Sequence, residues 1–187
     1  MAPSTTLPPI SSLPTADNET VKSALDALFE PSEDLHSLAV PSIHDSPSFA
    51  SYASLIKHVG AIMSQLSQSS DSNAREKLHG ILGSHPRLGE KKVESAQSRA
   101  EQAHLNTGSS KEKEEEAVKL KALNDAYESR FPGLRYVVFV NGRSRTVVMQ
   151  NMRERIDRGD IRAEELEAIQ AMVDIALDRA NKLQASI

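Results

Sequence analysis

The sequence predicts a single all-α domain, a helical bundle with one short extended segment near 136–140. Three observations lead there. Apolar residues recur at helical spacing over most of the chain. Only one run, Tyr136 to Val140, is continuous and largely β-branched as a buried strand would be, and no second run of comparable length exists to pair with it. A chain of 187 residues also suits one domain with a real core.

The elements follow in order. Residues 1–16 hold Pro3, Pro8, Pro9 and Pro14 among Ser and Thr, which reads as a flexible arm, leaving 17–187 as the domain. Thr20 suits the N-cap of a helix over about 21–29, with Leu25, Leu28 and Phe29 on one face and Pro31 ending it. The prolines at 31, 41 and 47 make residues 31–48 an irregular connection. Phe49, Tyr52, Leu55, Ile56, Val59, Ile62, Met63 and Leu66 define the next helix. After a polar break at 67–73, Leu78, Ile81 and Leu82 mark another, stopped by Gly83.

Pro86 disfavours helical geometry at His85, so the histidine should sit on an extended turn just past that helix. A helix over about 95–105 follows. Ser109 with Glu112 resembles a capping box for a longer helix reaching about 130, its solvated start at 111–116 and its buried stripe at Ala117, Leu120, Leu123, Ala126 and Tyr127. Phe131-Pro132-Gly133 breaks it, and Asn141-Gly142 signals a tight turn. Helical spacing resumes over about 144–158, Gly159 stops it, and Asp160 caps a last helix with Leu166, Ile169, Met172, Val173, Ala176, Ala180 and Leu183 on its apolar face.

Composition narrows the function classes. With no cysteine, disulfides, thiolate catalysis and Cys-based metal sites are excluded. No apolar stretch approaches the ~20 residues of a membrane span, and the first residues lack the pattern of a secretory signal, so a soluble protein is expected. The final four residues differ from the peroxisomal Ser-Lys-Leu signal, which makes the cytoplasm the default. A net charge of −4 argues against a nucleic-acid module, although Arg130, Arg135, Arg143, Arg145, Arg153, Arg155 and Arg158 cluster late in the chain. An RNA-binding adaptor using them would bind with steep salt dependence.

Three groups of residues carry potential chemistry. A lone histidine in a turn is more often a surface residue or helix-end partner than a catalyst, but His85, beyond a helix C-terminus, is of a type that titrates near neutrality and suits acid–base work. The remaining histidines show no metal-ligand spacing, so no metal is expected. Ser98, Glu101 and Gln102 share a helix face, but Ser-x-x-Glu is also a capping box. Arg143 and Arg145 bracket the cap Ser144, where an anion would be welcome if structure did not already require the residues. Arg179, late in the last helix, complements the helix dipole or serves a site.

Taken in order, these fragments resemble the 2-oxo-4-hydroxy-4-carboxy-5-ureidoimidazoline (OHCU) decarboxylase family of urate degradation. The resemblance runs from about 21 to 183 and rests on five elements: Gly83-Ser84-His85-Pro86; Ser98, Glu101 and Gln102; Leu123, Asn124, Tyr127, Arg130 and Phe131; the apolar run closing on Gly142-Arg143-Ser144; and Arg179 in the terminal helix. It implies a cofactor-free carboxy-lyase that converts a small anionic ureidoimidazoline to (S)-allantoin, and a homodimer. By the same resemblance, His85 acts as acid–base catalyst and Glu101 orients it or the substrate hydroxyl. Pro86, Ser98, Gln102 and Arg179 line the substrate site, and so do the backbone amides of Gly133, Leu134, Arg135, Tyr136 and Val137. Arg87, where the family commonly has an acidic residue, and the altered loop at 132–135 suggest a divergent, fungal-type branch. They also keep open an alternative: a helical binding or scaffold module of the same fold with a degenerate pocket.

Overall fold

The computed structural model describes residues 6–89, 96–102 and 110–184. Among them every regular element is helical: a 3-10 turn at Ile10–Thr15, then α1 (Asn18–Phe29), α2 (Glu33–His44), α3 (Tyr52–Gln68), α4 (Ser72–Leu82), α5 (Ala96–Gln102), α6 (Ser110–Arg130), α7 (Arg145–Arg158) and α8 (Ile161–Gln184). The all-α expectation holds. No helix is long and apolar enough to cross a membrane among the described residues.

Local chemistry sets most boundaries. Asp17, rather than Thr20, caps α1: its carboxylate accepts from the Thr20 amide at 2.8 Å and the Thr20 hydroxyl at 2.9 Å. Ser144 caps α7, and Gly159 ends it in a left-handed conformation, φ 65°. Asp160 accepts from the Arg162 and Ala163 amides to start α8. The proposed cap at Ser109 and Glu112 lies outside the described residues.

Two expectations need correction. Residues 31–48 are not irregular, since α2 occupies their centre. Ser32 accepts from the Leu35 amide, Glu33 and Asp34 complement the first turn, and Leu35, Ala39, Val40 and Ile43 bury one face while Pro41 stays exposed. Burial of that face outweighs the lost proline amide. Nor is the described part of 1–16 a loose arm. Leu13 is fully buried, Leu7 is 7% exposed, and the Pro8 and Pro14 carbonyls accept from the Tyr52 hydroxyl (2.7 Å) and His44 Nδ1 (3.0 Å).

Helix α8 forms the spine, packed along α3 and α1, with α4 bridging α2 and α3 and with α6 lying against α7. The α3–α8 approach is close: a Cβ on Gly60 would stand 2.7 Å from Val173. On α6 the buried positions are Leu120, Asn124 and Tyr127; Ala117 and Ala126, expected on that stripe, are exposed.

Residues 134–140 run outside regular structure, with no strand to pair with among the described residues. Side chains satisfy their carbonyls instead. Arg155 Nη1 donates to Val137 O at 3.0 Å, and Arg143 donates to Val140 O at 3.2 Å and to Phe139 O. The Tyr136 hydroxyl donates to Asn151 at 2.6 Å, and the Arg155 guanidinium stands 4.8 Å from the Tyr136 ring centroid. Arg155 is itself held by fully buried Glu164, which also accepts from Tyr127 (2.6 Å) and Arg158 (2.5 Å). One carboxylate therefore ties α6, α7 and α8 to the extended segment. Burial keeps the Tyr127 and Tyr136 hydroxyls protonated, pushing both well above the usual phenol range.

Candidate active site

His85 follows α4 directly. Gly83 closes the helix with its amide on His79 O at 2.8 Å, and the Ser84 amide and hydroxyl both donate to Ile81 O. Pro86 then holds the chain out of helix, so the imidazole is delivered from a fixed extended turn. The residue is only 6% exposed, and its Nε2 is buried with no partner among the described residues. A buried, unbonded ring nitrogen costs free energy unless something binds it.

That imidazole lines a cavity of about 190 Å³. The α4 turn contributes His85, Pro86 and Leu88, and α5 contributes Ser98, Ala100 and Gln102. The extended segment contributes 136–142, and α8 contributes Ile175, Asp178 and Lys182. Positive φ at Asn141 (43°) and Gly142 (74°) turns the segment back after Val140, as Asn-Gly predicts.

Of the expected site residues, the structure brings His85, Pro86, Ser98, Gln102, Tyr136 and Val137 together around this cavity. Arg179 lies just behind it, 2% exposed, with Nη2 bonded to Ser98 Oγ at 3.0 Å. Helix α5 carries position 101, whose side chain lies outside the described residues. Gly133, Leu134 and Arg135 do not line the cavity. Gly133 (φ 89°) forms the tight turn 131–134 and presses on His79, where a Cβ would meet Nδ1 at 2.9 Å. Leu134 is core at 2% exposure, and Arg135 Nη1 reaches back to the His85 carbonyl at 3.3 Å. The backbone wall of the site is therefore displaced toward 138–142.

One residue that the sequence did not single out is central. Glu30, following α1, is 3% exposed and accepts from Ser98 Oγ at 2.5 Å and Arg179 Nη2 at 2.7 Å, both on Oε1. Burial by itself would raise its carboxyl; the Arg179 charge and the Ser98 and Arg179 hydrogen bonds overcome this and hold it below its usual 4.5. Glu30 is thus an ionised partner of Arg179. Its backbone sits at φ 77°, ψ 152°, a conformation close to one that essentially only glycine adopts, at a cost of about 1–3 kcal/mol for other residues.

These charges decide the state of His85. Burial is the main effect and Arg179 adds to it; together they push the imidazole down to about 4, with Glu30 opposing. At neutral pH the resting imidazole is uncharged, holding one N–H and one lone pair.

Arg87 leaves this arrangement undisturbed. Its guanidinium pairs with Glu128 at 2.7 Å and Asp125 at 2.6 Å on α6. Arg143 and Arg145 do not form the anion site their spacing suggested, since the first is engaged by carbonyls and the second pairs with Glu116 at 3.2 Å. Gln102 accepts from the Gly89 amide at 2.9 Å, and Asn124 donates to Leu88 O at 3.0 Å, so both anchor the loop after His85. Among the described residues no three His, Asp or Glu side chains are grouped to hold a metal ion.

A sequence profile described as OHCU decarboxylase matches residues 14–181, nearly the whole chain. The chain belongs to the OHCU decarboxylase family. Members of this family are carboxy-lyases that act on a small ureidoimidazoline in urate degradation. No curated protein matches the chain. The profile match begins at Pro14, inside the segment that docks on α2 and α3, and takes in every cavity-lining residue except Lys182.

Proposed function

We propose that the chain decarboxylates OHCU to (S)-allantoin without a cofactor, with His85 as the acid–base group. The observation that carries this reading is the buried, uncharged imidazole whose Nε2 has no described partner, set beside an ion-paired arginine at a small cavity. Family membership supplies the substrate class.

The chemistry needs no external electron sink. When the bond to the carboxylate breaks and CO2 leaves, its electron pair forms a ring C=C bond, and the adjacent C=N bond passes its π pair to nitrogen. The carbon that carried the carboxylate is then an enol. Uncharged His85 takes the enol proton and, as imidazolium, returns it to the neighbouring ring carbon that bears the ureido group. The ring nitrogen takes the one further proton from solvent, so charge and atoms balance. Delivery from one side fixes the configuration.

Arg179 supplies the positive charge that holds the substrate carboxylate, and Glu101 orients the imidazole or the enol hydroxyl. The Gln102 amide and the amides of 138–142 receive the ring and its ureido arm. Ser98 takes a different part from the one first expected: its hydroxyl proton is given to Glu30, so it braces Arg179.

A positioned acid–base group contributes about 10²–10⁴-fold in rate. His85→Asn should lose that much turnover of freshly generated OHCU while keeping the helical circular dichroism of wild type. The assay is the fall in ultraviolet absorbance together with the optical rotation of the allantoin formed. Near-normal turnover in the variant removes His85 from the mechanism.

A further inference from the structure

Three buried glutamates occur among the described residues. Glu164 and Glu165 join helices, the first through Tyr127, Arg155 and Arg158 and the second through Arg75, His79 and Arg162. Glu30 differs, because its partner Ser98 lines the cavity beside His85 and its other partner, Arg179, is bonded to Ser98 just behind it. We propose, building on the decarboxylase reading, that Glu30 is a positioning residue: its carboxylate, together with the Ser98 hydroxyl bonded to it, fixes the Arg179 guanidinium in the orientation that receives the substrate carboxylate.

Geometry carries the argument. Glu30 Oε1 accepts from both Ser98 and Arg179, and Arg179 Nη2 also reaches Ser98 Oγ, closing a triangle of 2.5, 2.7 and 3.0 Å. A second guanidinium nitrogen, Nη1, points to Leu28 O at 3.4 Å. The end of α1 thus bonds both Arg179 and Ser98, and bracing of this kind keeps a binding constellation within the small tolerance that catalysis allows.

The backbone points the same way. A chain that needed only to turn after α1 would use glycine at φ 77° without strain. This one carries a glutamate there, and the strained residue is the one that contacts the site.

Electrostatics supplies a second consequence. Glu30 from the end of α1 and Arg179 from α8 act on His85 in opposite senses. Asp178 and Lys182 line the same cavity from α8, and Arg135 meets the His85 carbonyl. Neutralising Glu30 removes the carboxylate charge that favours the protonated ring, so His85 holds a proton less well when the mechanism requires the imidazolium.

The test compares wild type, Glu30→Gln and Glu30→Gly in three measurements: steady-state OHCU turnover, circular dichroism with thermal melting, and proton NMR titration of the His85 ring, assigned with His85→Asn. Both variants should keep the helical spectrum and lose about 10²-fold in kcat/KM, chiefly in kcat. The imidazole in Glu30→Gln should titrate at lower pH than in wild type. Glycine relieves the backbone strain, so Glu30→Gly is the variant better placed to fold. A folded Glu30→Gly within threefold of wild-type turnover overturns the proposal. Failure of both variants to fold also overturns it, because Glu30 would then be structural. If wild type itself does not turn over OHCU, the decarboxylase reading falls separately. The role of Glu30 is then decided by the titration, where a lower value supports it and an unchanged one refutes it.

Discussion

Lowering the pH from 7.5 to 4.5 should destabilise the folded protein through His85, and replacing that residue should cancel the effect. The imidazole lies at about 4 when folded, against 6.5 for an exposed histidine. Above pH 6.5 neither state is protonated at this position and its ionisation contributes nothing. As pH falls below 6.5 the unfolded chain takes up a proton that the buried ring refuses until about pH 4. At about 1.4 kcal/mol per unit, the full drop is worth roughly 3 kcal/mol, of which about 2.5 kcal/mol is lost by pH 4.5.

The paired carboxylates act in the same sense but in a lower pH window. Glu30 and Glu165 both sit below their ordinary 4.5 when folded, so their stabilisation persists above that value and disappears only at lower pH. The window from 6.5 to 4.5 therefore isolates the histidine. Urea unfolding of wild type and His85→Asn at several pH values reads the difference directly. The stability of wild type relative to the variant should fall by about 2.5 kcal/mol across the window. A relative stability that stays constant with pH would show that the imidazole is not buried in its uncharged form, and with it would go the starting state assigned to the mechanism.

Two further outcomes follow from the packing. Arg87→Ala should leave OHCU turnover within threefold of wild type, because the guanidinium is engaged by Glu128 and Asp125 on α6; a large loss would return Arg87 to the site. Leu13→Ala should cost about 2–5 kcal/mol in urea unfolding, as expected for truncating a fully buried leucine, whereas a loose N-terminal arm would tolerate it with no change.

Helices were legible where local rules suffice. The spacing of Tyr52, Leu55, Ile56, Val59 and Met63 defines α3 because period 3.6 is a property of the chain itself. Pro86 placed His85 beyond a helix for an equally local reason. Helix α2 is hidden in the sequence because Pro41 within it and Pro31 and Pro47 on either side outweigh a readable start, Ser32 followed by Glu33 and Asp34. The N-terminal segment escapes a reading by composition because composition describes how a chain behaves when nothing covers it, whereas here Leu7 and Leu13 are buried and Pro8 and Pro14 are bonded to Tyr52 and His44.

The candidate site divides in the same way. His85, Ser98, Gln102 and Arg179 stand out through motif resemblance, whereas Arg143 is taken up by carbonyls three and four residues back and Arg145 by Glu116, 29 positions away. Glu30 had no signal in its own neighbourhood. Its meaning comes from Arg179, 149 positions away.

Sequence alone determined the helical class, the turn that presents His85, the absence of cysteine chemistry and the family likeness, since each depends on neighbours within a few positions or on residue type. Tertiary structure decided which groups share the cavity, that the imidazole rests uncharged, and that a strained glutamate braces the arginine. Those follow from burial and from charges placed side by side by folding, and a carboxylate or an imidazole takes its character from what surrounds it in space.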